Sequence, residues 1–291
     1  MKILVGASPG GTTDTLAREI AQDMTRTLGR PVIVENKAGA GGNLAADAVA
    51  KSPPDGYTLL VSFTSHAINA TLYPQLPFDP VADFTAISMI ATVPSILVAG
   101  PRLSARSVSD VIAAAKAKPD GLTFAIGGIG SSVHLAGEQF KMRTGVAILN
   151  VPYKGTSPAM TDVLGGQVDM MFASVVTATP HIKAAKLRAL GVTSAQRLAL
   201  LPDVPAIAET VPGFESRAWF GLFGPARLPP EITATLHRAV ATALRTPEIR
   251  ARLEQEGATP VGSAPAEFSN FVREDVKRWA PIVKASGAKP E

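Results

Sequence analysis

Three apolar runs in the first 63 residues, 3–7, 31–35 and 57–63, are each too short for a core helix, and the segments between them carry helical spacing. That alternation admits little besides neighbouring parallel strands joined by right-handed crossover helices. Leu16, Ile20 and Met24 recur at four-residue spacing through residues 12–28, and Gly29 stops that helix. Residues 43–51 give a shorter second helix, and Pro53-Pro54-Asp55-Gly56 turns the chain into the third strand.

After a Pro-rich passage from Tyr73-Pro74 to Asp79-Pro80, residues 86–91 and 95–100 read as two strands, the second ended by Pro101. The alternation then restarts. Ser107 and Asp110 form a variant capping box ahead of an Ala-rich helix, followed by predicted strands at 122–126, 147–151, 168–173 and 187–192. Helices are predicted between them at 131–144, from Ser157, and near 180–185. Residues 218–225 read as a returning strand, and the rest is helical, over 229–244, from Pro247, and over 264–286.

The expected fold is therefore α/β and two-lobed, each lobe a mostly parallel sheet flanked by helices, with the C-terminal helices packed back on the first lobe. Lobe I is assigned residues 1–99 and 220–291, and lobe II residues 100–219. A ligand is expected between the lobes, beyond the carboxyl ends of the strands.

Two lobes suit 291 residues, and a composition 46% hydrophobic but only 5% aromatic suits tightly packed α/β layers. With no cysteine, thiolate metal sites and thiol nucleophiles are excluded. The net charge of +4 is spread without basic tracts, which argues against nucleic acid as a partner. No apolar run approaches the ~20 residues of a membrane span.

Two Gly-rich turns each lead from a strand into a helix: Ser8-Pro9-Gly10-Gly11-Thr12-Thr13-Asp14, and Gly127-Gly128-Ile129-Gly130-Ser131-Ser132-Val133-His134. Glycine lets an anion approach the backbone, and the unpaired N–H groups of a helix start then bind it. Hydroxyls at Thr12, Thr13, Ser131 and Ser132 add donors without adding charge. The ordinary alternative is a pair of capped βα turns, and it is their pairing, one per lobe, that points to ligand binding. Gly155 and Thr156, beside Lys154, precede a further helix with Pro158 in its first turn; Thr64, Ser65 and Ser174 lie at strand ends where polar groups line a cleft. Asp14 and Asp169 read as capping and loop-pinning residues.

No catalytic motif is complete. Gly130-Ser131-Ser132-Val133-His134 lacks the final glycine of a nucleophile elbow, and Gly39-Ala40-Gly41-Gly42-Asn43-Leu44 misses the third glycine of a dinucleotide fingerprint. His66, His134, His181 and His237 show no metal-ligand spacing. No catalytic residue, metal or cofactor is assigned.

From Ser8 to Asp14, and again at Val34-Glu35-Asn36-Lys37-Ala38-Gly39-Ala40-Gly41-Gly42-Asn43, the chain resembles the Bug receptors, substrate-binding proteins of tripartite tricarboxylate transporters. The resemblance continues in order through Pro54–Tyr57, Gly130–Leu135, Val151–Gly155, Leu164–Asp169, Leu201–Pro205 and Pro212–Glu215. It implies a monomeric receptor of the two-lobed, type II periplasmic-binding-protein architecture that binds a small carboxylate in the periplasm, hands it to membrane transporter subunits and catalyses nothing. Carried over by position, Ser8, Gly10, Gly11, Thr12 and Thr13 would bind one end of the ligand and Gly130, Ser131 and Ser132 the other. Thr64, Ser65, Gly155, Thr156 and Ser174 are placed second. Val5-Gly6 departs from the family's Pro-Phe, Ala38 from its Pro, and Arg227-Leu228 from its Gly-Thr. Met1-Lys2 runs straight into the first strand, so the periplasmic expectation takes this as the mature-length sequence. Two other readings use the same residues: a sensory module with a separate signalling partner, and an enzyme acting on a carboxylate with His134 or Lys154 as general base.

Overall fold

A computed structural model describes residues 1–128, 130–153, 155–255 and 257–290; Ile129 and Lys154 lie outside the described residues. In chain order the elements begin β1 (Lys2–Val5), α1 (Thr12–Leu28), β2 (Ile33–Asn36), α2 (Asn43–Ala50), β3 (Thr58–Phe63), α3 (Ser65–Leu72) and β4 (Phe84–Ala99). They continue α4 (Val108–Ala117), β5 (Thr123–Ile126), α5 (Ser132–Thr144), β6 (Leu149–Pro152), α6 (Thr156–Leu164), β7 (Met170–Ser174), α7 (Val175–Lys183) and β8 (Arg188–Val192). Last come β9 (Arg217–Pro225), α8 (Pro230–Ala243), α9 (Pro247–Gln255), β10 (Thr259–Pro260) and α10 (Pro265–Ser286). The chain divides into two compact units. The first holds Met1–Thr92, Trp219–Lys284 and the tail from Lys289, and the second holds Val93–Ala218 with Ala285–Ala288.

In the first unit β1 is paired in parallel with β2 on one side and β3 on the other, and β9 runs antiparallel to β3. The C-terminal helix α10 is locked to β9. Trp219 Nε1 and Trp279 Nε1 both donate to Asp275 Oδ2, at 2.8 and 3.0 Å, and the Phe268 ring lies so close to Gly221 that an added Cβ would sit 2.1 Å from it.

In the second unit β5 is paired in parallel with β6 and β7, while β4 and β7 are antiparallel. Alternation deals its residues to two faces. Leu97, Phe124, Met170 and Phe172 pack with Phe140 and Phe214 in one core cluster. Their strand neighbours Ile96, Val98, Ala125, Met171 and Ala173 pack with Ala159, Val163 and Val175 in the other. Burial on both faces is why these strands read as unbroken apolar runs.

Three expectations are corrected. The runs at 86–91 and 95–100 form one strand, β4: Pro94 has no N–H to donate, but it falls between the residues that pair with β10 (Ala91, Thr92) and those that pair with β7 (Ser95 onward). The helix placed at 180–185 starts at Val175 and carries Pro180 inside it, at the cost of one helical hydrogen bond. Helix α3 was not foreseen, because only Thr64, and no glycine or proline, separates it from β3 and it buries polar His66 and Asn69. The box at the start of α4 forms with a shifted partner: Ser107 Oγ accepts from Asp110 N, but the Asp110 carboxylate reaches Arg106 N. Arg227, at a position where the resemblance expects glycine, adopts a left-handed φ of 62°.

Candidate functional site

Because β1, β2 and β3 run in parallel, their carboxyl ends lie side by side, and each feeds a helix. The turn before α1 is held from within. Gly10, at φ 82°, donates its N–H to Asp14 Oδ2 at 2.9 Å; the same carboxylate accepts from Arg18 Nε at 2.9 Å and Asn36 Nδ2 at 2.8 Å. The bond from Arg18 foremost, helped by those from Gly10 and Asn36, overcomes the opposing effect of burial and holds the Asp14 carboxyl down at about 2. Asp14 therefore pins the turn, as its position suggested.

The first intrahelical bond of α1 joins Thr15 N to Gly11 O, and no side chain caps its start. The N–H groups of Thr12 and Thr13 are thus left for water or a ligand. Ser8, Gly10, Gly11 and Thr12 are exposed beside them, and Thr13 is buried. Gly10 is brought there as a bend, with its own N–H already spent on Asp14.

A second wall of this edge was not assigned from the sequence. Gly39, Ala40, Gly41 and Gly42 all have positive φ, at 128, 48, 62 and 95°. Asn69 Nδ2 braces that loop, donating to Gly41 O at 3.1 Å and Asn43 Oδ1 at 2.7 Å. Gly6 abuts it so closely that an added Cβ would lie 2.6 Å from Gly42 Cα. The glycine density was the available signal; the bracing by buried Asn69 depends on α3 and was not legible. Thr64 is buried with its Oγ1 accepting from Trp219 N at 2.9 Å, and Ser65 opens α3 half-buried. His66 turns away into the aromatic core, bonded to Pro80 O at 2.8 Å and stacked on Phe223, and desolvation lowers it to about 4.

The second unit repeats the arrangement at the ends of β5, β6 and β7. Gly130 is buried at φ 73° and donates its N–H to His134 Nδ1 at 3.0 Å. Ser131 caps α5: its Oγ accepts from His134 N at 3.3 Å and donates to Gly128 O at 2.7 Å. These bonds occupy the Gly130 amide and the Ser131 hydroxyl, leaving the first-turn amides of Ser132 and Val133 ahead of the helical ladder. An added Cβ on Gly127 would lie 2.7 Å from Thr156 Cα, so the turn and the start of α6 touch. Gly155, at φ 116°, opens α6 without a side-chain cap, and Ser174 likewise opens α7.

His134 accepts through Nδ1, so its ring proton is on Nε2, which faces Glu138 Oε1 at 3.5 Å. Both ring nitrogens are occupied, which leaves no lone pair for a general base. Glu138 is fixed in turn by Lys141 Nζ at 2.7 Å and Asn150 Nδ2 at 2.6 Å. Burial pushes its carboxyl up, but the bonds from His134, Lys141 and Asn150 outweigh it and hold the group at about 2. Among the described residues no group of three or more His, Asp or Glu could hold a metal ion, and no helix is long and apolar enough to cross a membrane.

Chemically, both edges present uncharged main-chain donors at helix starts, an arrangement suited to carboxylates. The chain is similar over nearly its whole length to known proteins. Residues 16–288 match the family described as Tripartite tricarboxylate transporter family receptor. Protein BugT of Bordetella pertussis is 39% identical over 99% of this chain and 90% of its own length. Among solved structures, Rpa4515 of R. palustris with adipate is 36% identical, covering 100% of this chain and 98% of that one at a TM-score of 0.85. MatC from Rhodopseudomonas palustris with bound malate is 35% identical, covering 97% and 98% at a TM-score of 0.80.

Proposed function

The chain belongs to the tripartite tricarboxylate transporter receptor family, and from that premise we propose that it captures a small carboxylate in the periplasm, passes it to transporter subunits and leaves it chemically unchanged. The observation that carries the ligand class is the uncapped start of α1, where the amides of Thr12 and Thr13 follow a turn already rigidified by Asp14. A carboxylate accepting those two N–H groups completes the helix end without any arginine. The turn before α5, with Ser132 and Val133 and the neighbouring Gly155-Thr156, offers a second set of uncharged donors suited to a carboxylate. Binding to amides that are held in place before the ligand arrives costs little ordering entropy. Relatives in complex with adipate and malate support a ligand carrying two carboxylates.

The test is thermal unfolding of protein refolded from denaturant, against adipate, succinate, malate, citrate, aspartate, glutamate, nicotinate, benzoate and terephthalate. An acid present at ~1,000 times its dissociation constant adds about 4 kcal/mol and raises Tm by several degrees. Gly11→Val should abolish that shift. Its backbone, at φ −81° and ψ 168°, accepts any residue, and an added Cβ meets only Ser8 O at 3.7 Å, so the fold survives while the anion's space is filled. Retained affinity in Gly11→Val would move the site away from α1, and no saturable shift across the panel would overturn the carboxylate reading.

A further inference from the structure

We propose that His134 is the positioning residue of the second turn, in the role Asp14 plays in the first: each takes the N–H of the glycine four residues before it and so fixes the bend that presents the next helix amides to a ligand. The inference rests on the carboxylate reading for its purpose, and on geometry for its mechanism.

The two arrangements match at the glycine, the cap position and the bond between them. Gly10 and Gly130 have φ 82 and 73°, each stands one residue before a helix N-cap, and each donates to a side chain on the third helical residue, at 2.9 and 3.0 Å. What differs is the acceptor. Asp14 is steadied by the exposed Arg18, whereas His134 is buried and its other nitrogen faces Glu138, itself fixed by Lys141 and Asn150. A buried imidazole between an amide and a fixed carboxylate is confined to one tautomer, with Nδ1 left as the acceptor. An aliphatic side chain would fill the same space but strand the buried Gly130 N–H.

The test compares His134→Leu with His134→Asn, whose amide oxygen supplies an acceptor of the kind Asp14 provides. The readouts are hydrogen exchange at the Gly130 amide, the wild-type His134 ring nitrogen shifts, and affinity for adipate and malate. The expected result is the Nε2–H tautomer in the wild type. His134→Leu should speed Gly130 exchange and weaken binding, each about tenfold, and His134→Asn should return both most of the way. Wild-type exchange and affinity in His134→Leu, or a folded His134→Asn that restores neither, would overturn the proposal. Should His134→Leu fail to fold, the tautomer and the Asn variant still decide it, an Nδ1–H ring counting against. If the wild-type protein bound no acid, the carboxylate reading would fall while exchange and tautomer still tested the role of His134.

Discussion

The stretch from β1 through α3 and the stretch from β5 through α7 are two versions of one strand–helix pattern, repeated three times in each. Both centre on the first strand, and both first helices end in a left-handed glycine, Gly29 at φ 63° and Gly145 at φ 68°. In both, the strand-end glycine, Gly6 or Gly127, lies against the start of the second helix. They part at the N-cap of the first helix, where Gly11 offers nothing and Ser131 offers a hydroxyl that takes one of the helix's free amides. What the two share is what the backbone requires of any sequence so folded. What they do not share is the fate of the third helical amide: Ser131 Oγ takes that of His134, whereas no cap takes that of Asp14, so the first turn keeps one donor more.

The hardest test of the equivalence is to give both close-packed glycines a methyl group. Gly6→Ala and Gly127→Ala drive a Cβ to 2.6 and 2.7 Å from facing backbone, so each should cost about 3 kcal/mol in urea unfolding and the two costs should match. A cheap Gly127→Ala would show that the second turn yields where the first does not.

Acid separates the halves next. Asp14 and Glu138 are held at about 2 against ordinary values of 3.8 and 4.5. Folded values below unfolded ones mean the unfolded chain takes up protons first as pH falls, so their stabilisation is complete above about pH 5 and drains away toward pH 2. Asp14→Asn and Glu138→Gln should each flatten the loss of stability over that range, measured by denaturant titration at several pH values. A slope unchanged by Glu138→Gln would show that Glu138 takes no part in the acid response.

Much of this was legible in the residues themselves. The β1–α1–β2–α2–β3 order follows from run length and spacing, and the two Gly-rich turns stand where strand gives way to helix. Which donors those turns have left did not follow, because Gly10, Gly130 and Ser131 are spent on partners that only the folded turn brings within reach. The same holds for Asn69, whose brace on Gly41 spans 28 positions of sequence.

Smaller substitutions sharpen the contrast at the caps. Ser131→Ala should cost about 1 kcal/mol, a loss with no counterpart at Gly11, while Gly11→Ser should add a few tenths and cost affinity. Gly29→Ala and Gly145→Ala should each cost about 1 kcal/mol, and equally, because an added Cβ meets nothing within 4 Å at either and only the backbone penalty remains. Calorimetry on the pair would reveal any hidden contact as an inequality.

The bare start of α1 also bears on inheritance. A donor that belongs to the main chain is carried by nineteen of the twenty amino acids, so under the proposed function replacements at Thr12 or Thr13 would reshape the neighbourhood of the anion while the N–H itself persists. Proline alone deletes it, and at Thr12, the first helical residue, proline would spare the helix. A lineage built on such a grip would be free to drift in what it recognises without losing its hold on an acid.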